Sequence, residues 1–219
     1  MIEMLHCNCM DYMATLPDKA FELAIVDPEY GHFIVPSENS YLKAENMDGI
    51  KDTTKINKGT SHKYFAELFR VSHYQIIWGA NYFLDHLPST PGMIIWDKII
   101  YGNTSLNWGE IAWQNIRQQS RIYRLHTSQT KEVRIHPNQK PVAVYRWLLA
   151  NYAKPGWKIL STHGGSGSDC IACHDLGYDL TWMELDADYY AAACERYKKH
   201  AAQGQLFEPR ETAYTQGEL

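Results

Sequence analysis

Apolar residues recur along this chain in two rhythms. Short dense runs at Leu23 to Val26, Gln75 to Trp78, Met93 to Trp96, Ile159 to Leu160 and Leu180 to Met183 have the character of strands buried on both faces. Between them, Tyr64 to Val71, Ile171 to Leu176 and Tyr189 to His200 read as helices. So does the stretch after Pro141, where Val142, Tyr145, Leu148 and Leu149 recur at helical spacing and Asn138 is a candidate cap. Strands alternating with helices predict an α/β fold, a doubly wound and mostly parallel sheet. Two polar stretches, Gly31 to Ser61 and Asn115 to Arg134, do not fit that scaffold and are expected to stand apart from it.

Composition narrows the class. With 219 residues and 45% apolar content, the chain has enough material for one full core, expected over residues 1–202, with a tail at 203–219. The formal charge of −4 argues against a broad nonspecific nucleic-acid binder, so local clusters carry that question. Lys51, Lys55, Lys58 and Lys63 form one; Arg117, Arg121, Arg124, Lys131 and Arg134 form another, and either set suits phosphate contacts or simply a solvated surface. Five cysteines without a secretory signal fit reduced thiols and a cytoplasmic protein. Cys7-x-Cys9 and Cys170-x-x-Cys173 raise a four-thiolate zinc site, but the second pair lies on an apolar helix where thiols pack as small hydrophobes, and no metal is expected. No apolar run reaches the roughly 20 residues of a membrane span, so no membrane partner is expected.

Candidate chemistry begins where the first core strand ends, at Asp27-Pro28-Glu29-Tyr30. An Asp-Pro after a strand is also the signature of a plain turn. An exocyclic base amine, however, is a poor nucleophile because its lone pair is delocalised into the ring. A carboxylate accepting one N–H and a fixed carbonyl accepting the other would localise that pair. Asp27 and the Pro28 carbonyl suit those roles, and Tyr30 offers a flat face for an extruded base.

The strand at Trp157 to Leu160 leads into Ser161-Thr162-His163-Gly164-Gly165-Ser166-Gly167-Ser168 and then a helix, a nucleotide-binding layout. About twenty residues on, the next strand ends in Glu184-Leu185-Asp186, where an acidic side chain can hold two ribose hydroxyls. No phosphate-gripping lysine follows the glycines, so a phosphate-free adenosine ligand such as S-adenosylmethionine fits better than a nucleoside triphosphate. His136-Pro137-Asn138-Gln139-Lys140-Pro141 opens a further helix.

In order and spacing these stretches resemble the DNA amino-methyltransferases, N6-adenine or N4-cytosine, of the permuted group in which the catalytic tetrapeptide precedes the cofactor loop. Ile76 to Phe83, Ile95 to Lys98 and Glu110 to Trp113 are similar to segments of small phage and prophage members, and the resemblance covers about Met1 to His200. It implies a Rossmann-like sheet of seven strands with an antiparallel strand at its edge. Asp27, Pro28 and Tyr30 would form the base pocket. The cofactor site would draw on Asp27, on His136, Asn138, Lys140 and Pro141 at the methionine end, on Gly165, Ser166, Gly167 and Ser168 in the loop, and on Glu184 with Asp186 at the ribose. An aspartate heading the tetrapeptide is more typical of adenine-N6 enzymes. Three residues depart from the family pattern: Glu29 replaces a second proline, Ser161 stands where an acidic residue commonly approaches the methionine amine, and Gly164 should loosen the loop.

The resemblance makes double-stranded DNA the expected substrate of a monomer or homodimer. Residues 31–61 would form a mobile lid, and 115–134 a small recognition region implying a short target. Gln203, Leu206 and Phe207 resemble a peptide that docks on bacterial sliding clamps, although the apolar pair equally suits folding back on the protein. The competing reading is a noncatalytic DNA- or clamp-binding protein in which Glu29 and Ser161 have switched off transfer.

Overall fold

The computed structural model describes residues 1–30, 60–100, 107–126, 130 and 132–203. Among these residues, eight strands form one sheet: β1 (Ile2–His6), β2 (Phe21–Val26), β3 (Ser72–Trp78), β4 (Met93–Asp97), β5 (Gly109–Gln114), β6 (Arg121–Arg124), β7 (Lys158–Ser161) and β8 (Asp179–Glu184). The described residues also form the α-helices α1 (Cys9–Ala14), α2 (His62–Val71), α3 (Val142–Tyr152), α4 (Ser168–Leu176) and α5 (Ala187–Ala202). The strand order is β1-β8-β7-β2-β3-β5-β4-β6, with β1, β8, β7, β2 and β3 mutually parallel.

The doubly wound, mostly parallel sheet is the expected one, with two differences of detail. The described residues hold eight strands, not seven, and the antiparallel strand β5 lies between β3 and β4, not at the edge. The edge belongs to β6, which pairs parallel with β4 inside the stretch expected to stand off the scaffold. Tyr123 of β6 stacks on Trp147 of α3 with ring centres 5.0 Å apart, which gives this short arginine-rich strand an apolar anchor.

Period-two patterning builds the three layers. Leu23, Ile25, Ile76, Trp78, Ile159 and Trp182 face α3, α4 and α5, while Ala24, Val26, Ile77, Leu160 and Met183 face α1 and α2. Helix α2 buries Tyr64, Phe65, Leu68 and Val71 along one stripe. Cys170 and Cys173 are buried in the first of these cores and Cys7 and Cys9 pack against the second, so the two pairs lie on opposite faces of the sheet. Asn138 is not the cap of α3. Pro141 holds that position without a side-chain bond, and the Val142 N–H is taken 3.0 Å away by the Glu132 carboxylate. Among the described residues, no helix is long and apolar enough to cross a membrane.

Candidate active site

The carboxyl ends of the parallel strands gather the chemistry. Asp27 follows β2, and its carboxylate takes hydrogen bonds from the Tyr30 hydroxyl on one oxygen and the Lys140 ammonium on the other. Lys140 also meets Glu110 at 3.0 Å, and Glu110 meets Lys98 at 2.6 Å, giving an alternating chain Asp27, Lys140, Glu110, Lys98. Burial alone would lower the Lys140 pKa, but the two carboxylates outweigh it and hold it raised. The same balance leaves Glu110 lowered: burial pushes it up, and Lys140 and Lys98 pull it further down. The Lys140 ammonium also lies 5.1 Å from the Trp78 ring centre.

Pro28 is buried and Glu29 is exposed, its backbone carbonyl accepting a 2.8 Å bond from Thr60. The substituted tetrapeptide position therefore keeps its extra charge outside the pocket. Tyr30 is not the open platform expected: its ring stacks on Tyr82 at 4.7 Å and 12°, with Phe83 edge-on. Gly79, at φ +73, makes room for it, since a Cβ there would lie 2.1 Å from Tyr30 Cε1. Tyr82, 39% exposed, is the ring of this pair that is open to a ligand, and the reading of the sequence missed it.

At the end of β7, the loop from Ser161 to Ser168 is held from two sides. Glu184, at the end of β8, accepts from Gly165 N–H on one oxygen and Asp186 N–H on the other, each at 2.8 Å. Asp186 caps α5 through Asp188 and Tyr189. From the opposite side, Arg196 of α5 donates to the Ser166 carbonyl at 2.8 Å and the Ser168 hydroxyl at 2.9 Å, and pairs with Glu132 at 2.7 Å. Gly164 does not loosen this loop. The Trp182 indole fills the space a side chain would need, with Cε2 only 1.8 Å from an ideal Cβ, and the Gly164 N–H is fixed to the Met183 carbonyl at 2.8 Å.

His136 lies beside Gly165 and packs edge-on against Tyr189 at 4.4 Å; burial lowers its pKa, and Nδ1 accepts from the Asn138 N–H at 3.2 Å. His163 is half-buried against Tyr64 and pushed down to about 4 by desolvation, which keeps it neutral. Asp169, in the first turn of α4, is buried and pushed up to about 6 by desolvation, and its Oδ1 accepts the Cys170 N–H at 3.0 Å.

The structure thus brings together Asp27, Pro28, Tyr30, His136, Lys140, Gly165, Ser166, Gly167, Ser168, Glu184 and Asp186 at one end of the sheet. The Lys140 ammonium is tied to Asp27 and Glu110. Arg117 and Arg121 do not join the site. They sit at the opposite end of the sheet and bond to the carbonyl and side chain of Asn151 near the end of α3. Arg124, paired with Asp97, and Arg134, donating to the Pro137 carbonyl, lie at the active end. Lys51, Lys55, Lys58, Lys131, Leu206 and Phe207 lie outside the described residues, as does nearly all of the expected lid; Gln203 ends α5 as its C-cap. Glu110, Lys98, Glu132 and Arg196 were missed. Each is a charged residue beside an apolar element, a signal whose partner is invisible without the fold.

A parallel sheet carrying a carboxylate-headed loop on one strand and a braced glycine loop on the next has the layout of a nucleoside-binding α/β enzyme, with its site at the carboxyl ends of the strands. The chain belongs to the N6/N4 methyltransferase family of DNA methylases, whose model matches residues 26–195. The putative methylase YubD of Escherichia coli K12 is 33% identical over 63 residues, a match that covers 29% of this chain and 28% of that protein. Among solved structures, the S-adenosylmethionine complex of M1.HpyAVI superposes with a TM-score of 0.56 at 15% identity, over 90% of this chain and all of that one. TTHA0409 of Thermus thermophilus, a putative DNA modification methylase complexed with S-adenosyl-L-methionine, gives 0.60 at 14% over 91% and 96% of the two chains. The cytosine-N4-specific PvuII DNA methyltransferase gives 0.62 at 10% over 92% and 90%.

Proposed function

We propose that this protein transfers a methyl group from S-adenosylmethionine to an exocyclic amine of a DNA base, adenine N6 first and cytosine N4 as the alternative. The observation that carries this reading is Asp27, a carboxylate fixed by Lys140 and Tyr30 at the end of β2, beside the braced glycine loop of β7. The donor set around that loop, Ser161, Asp169, Glu184 and Asp186, is acidic and hydroxylic. The nearby cations Lys140 and Arg196 are tied to carboxylates, which suits a cationic nucleoside without phosphate. When bound, the cofactor supplies an electrophilic methyl on a sulfonium.

The residues do the rest. Each Asp27 oxygen retains a further lone pair beyond its present bond, so the carboxylate can accept one amine N–H while Lys140 keeps it oriented. The Pro28 carbonyl accepts the other. Together they localise the nitrogen lone pair and aim it at the methyl group. Tyr82, backed by Tyr30, offers an aromatic face to an extruded base. Leu185, exposed between Glu184 and Asp186, offers an apolar contact to the adenine of the cofactor. Arg124 and Arg134, with Lys51, Lys55, Lys58 and Lys131, make up the proposed phosphate contacts, and Gln203, Leu206 and Phe207 the proposed clamp peptide.

Purified protein incubated with unmethylated bacterial DNA and tritiated S-adenosylmethionine, followed by nucleoside chromatography, tests this. Label in N6-methyladenine that vanishes in Asp27→Ala is the expected result, with cofactor binding retained in the variant. Label in N4-methylcytosine selects the alternative acceptor. Cofactor binding without label in either base would favour a noncatalytic DNA-binding protein.

A further inference from the structure

Asp27 is the inner end of a longer line of charges. Asp27 follows β2, Lys140 precedes α3, Glu110 lies near the start of β5 and Lys98 follows β4, so side chains far apart in sequence meet at one end of the sheet. The Lys140 ammonium donates to Asp27 Oδ2 and lies 3.0 Å from Glu110 Oε2, and Lys98 lies 2.6 Å from Glu110 Oε1. Glu110 thus gives one oxygen to each lysine. Lys140 is 3% exposed, and none of the other three side chains exceeds 25%. Indole rings wall both cations: the centre of Trp78 lies 5.1 Å from Lys140 Nζ, and that of Trp96 4.9 Å from Lys98 Nζ. Withdrawn from water in this way, a charge is felt beyond its direct partner.

A carboxylate that has to attract a base N–H shares its lone pairs with the cation that holds it. The harder Lys140 pulls on Asp27, the weaker Asp27 becomes as an acceptor. Glu110 draws Lys140 the other way, and Lys98 in turn draws Glu110 off Lys140. We propose that Glu110 and Lys98 are positioning residues which set, through Lys140, how strongly the Asp27 carboxylate accepts the amine. The inference rests on the methyl-transfer reading above. Because the links alternate in sign, the two residues act in opposite directions: Glu110 strengthens Asp27 as an acceptor and Lys98 weakens it. The other titratable groups around the chain are Tyr30, which donates to Asp27 Oδ1, Tyr64 of α2, His136, and Tyr145 of α3. Asp97, next to Lys98, is engaged by Arg124. These groups are common to wild type and variants, so a difference between them belongs to the chain of charges.

Single-turnover transfer from S-adenosylmethionine to unmethylated bacterial DNA, followed across pH on the full chain, tests the pair. The acid limb of that profile reports the linked groups together. Glu110→Gln is expected to lower the plateau rate about tenfold and to move the acid limb to lower pH by about one unit. Lys98→Met should raise the plateau about twofold and move the limb to higher pH. Combining the two should reproduce Glu110→Gln alone, because Lys98 acts only through Glu110. Lys98→Arg, which keeps the charge, should return the limb to its wild-type position. Affinity for S-adenosylhomocysteine, read by calorimetry, should stay at the wild-type value throughout. Lys98→Met, at the outer end, carries the test by itself if Glu110→Gln does not fold. Limbs that stay in place, or move the same way in both single variants, would overturn the assignment while leaving the methyl-transfer reading intact. Wild type that binds S-adenosylhomocysteine yet labels neither base would overturn the assignment together with that reading.

Discussion

Lys140 sets the character of the catalytic residue more than any neighbour in sequence. Its ammonium is buried between Asp27 and Glu110, so removing it leaves two carboxylates facing each other with only Lys98 on the outer one. Lys140→Met should therefore destabilise the fold by about 3 kcal/mol, the usual consequence of breaking one side of a buried pair, read as a lowered urea midpoint at constant slope. An unchanged midpoint would mean that the chain of charges is not coupled to folding. His163 gives a second test at this scale. Its folded pKa of about 4 lies below the ordinary 6.5, so its contribution is complete above 6.5 and is lost as pH falls from there toward 4. Asp169 works the other way: raised to about 6 from 3.8, its protonation on folding adds stability as pH falls through 6. His163→Gln should stabilise the acid limb relative to wild type, and Asp169→Asn should steepen its loss, each read from denaturant midpoints between pH 4 and 7.

At the scale of elements, the loops are positioned by helices that arrive from elsewhere in the chain. Asp186 caps α5, and the capped first turn carries Tyr189, which packs on His136 beside Gly165. Asp186→Ala removes both cap bonds and should cost about 1 kcal/mol, with faster amide exchange at Asp188 and Tyr189 as the local signature. Unchanged exchange there would show that the cap does not set the order of that turn. Much of this level was legible in the sequence. Strands β2, β3, β4, β7 and β8 and helices α2 to α5 were placed because their apolar periodicity is local, and Asp27, the glycine loop and Glu184 because a strand end followed by a turn is a local signal, whereas β1, β5, β6 and α1 were not placed. Where the reading failed, the cause was distant in sequence. Glu132 caps α3 from ten residues upstream and Arg196 reaches it across 64 residues, so neither could be recognised before the helices packed.

For the molecule as a whole, the sheet sorts its arginines by end. Arg117 and Arg121 brace α3 at the far end, whereas Arg124 and Arg134 share the end of the sheet that holds Asp27. Replacing Arg124 and Arg134 with Met should weaken DNA binding and reduce the salt slope by roughly one for each phosphate no longer neutralised. The same change at Arg117 and Arg121 should lower thermal stability and leave the slope alone. Equal slopes in the two double variants would refute the sorting. The sequence by itself determined the α/β alternation, the carboxylate loop, the glycine loop and the acidic strand end, because each is written in a few consecutive residues whose backbone conformation is locally dictated. Only the tertiary structure decided that Lys140 serves Asp27, that Tyr30 lies on Tyr82, and that Gly164 makes way for Trp182. Those pairings join residues from different elements, and a side chain acquires such a partner only when packing brings the elements together.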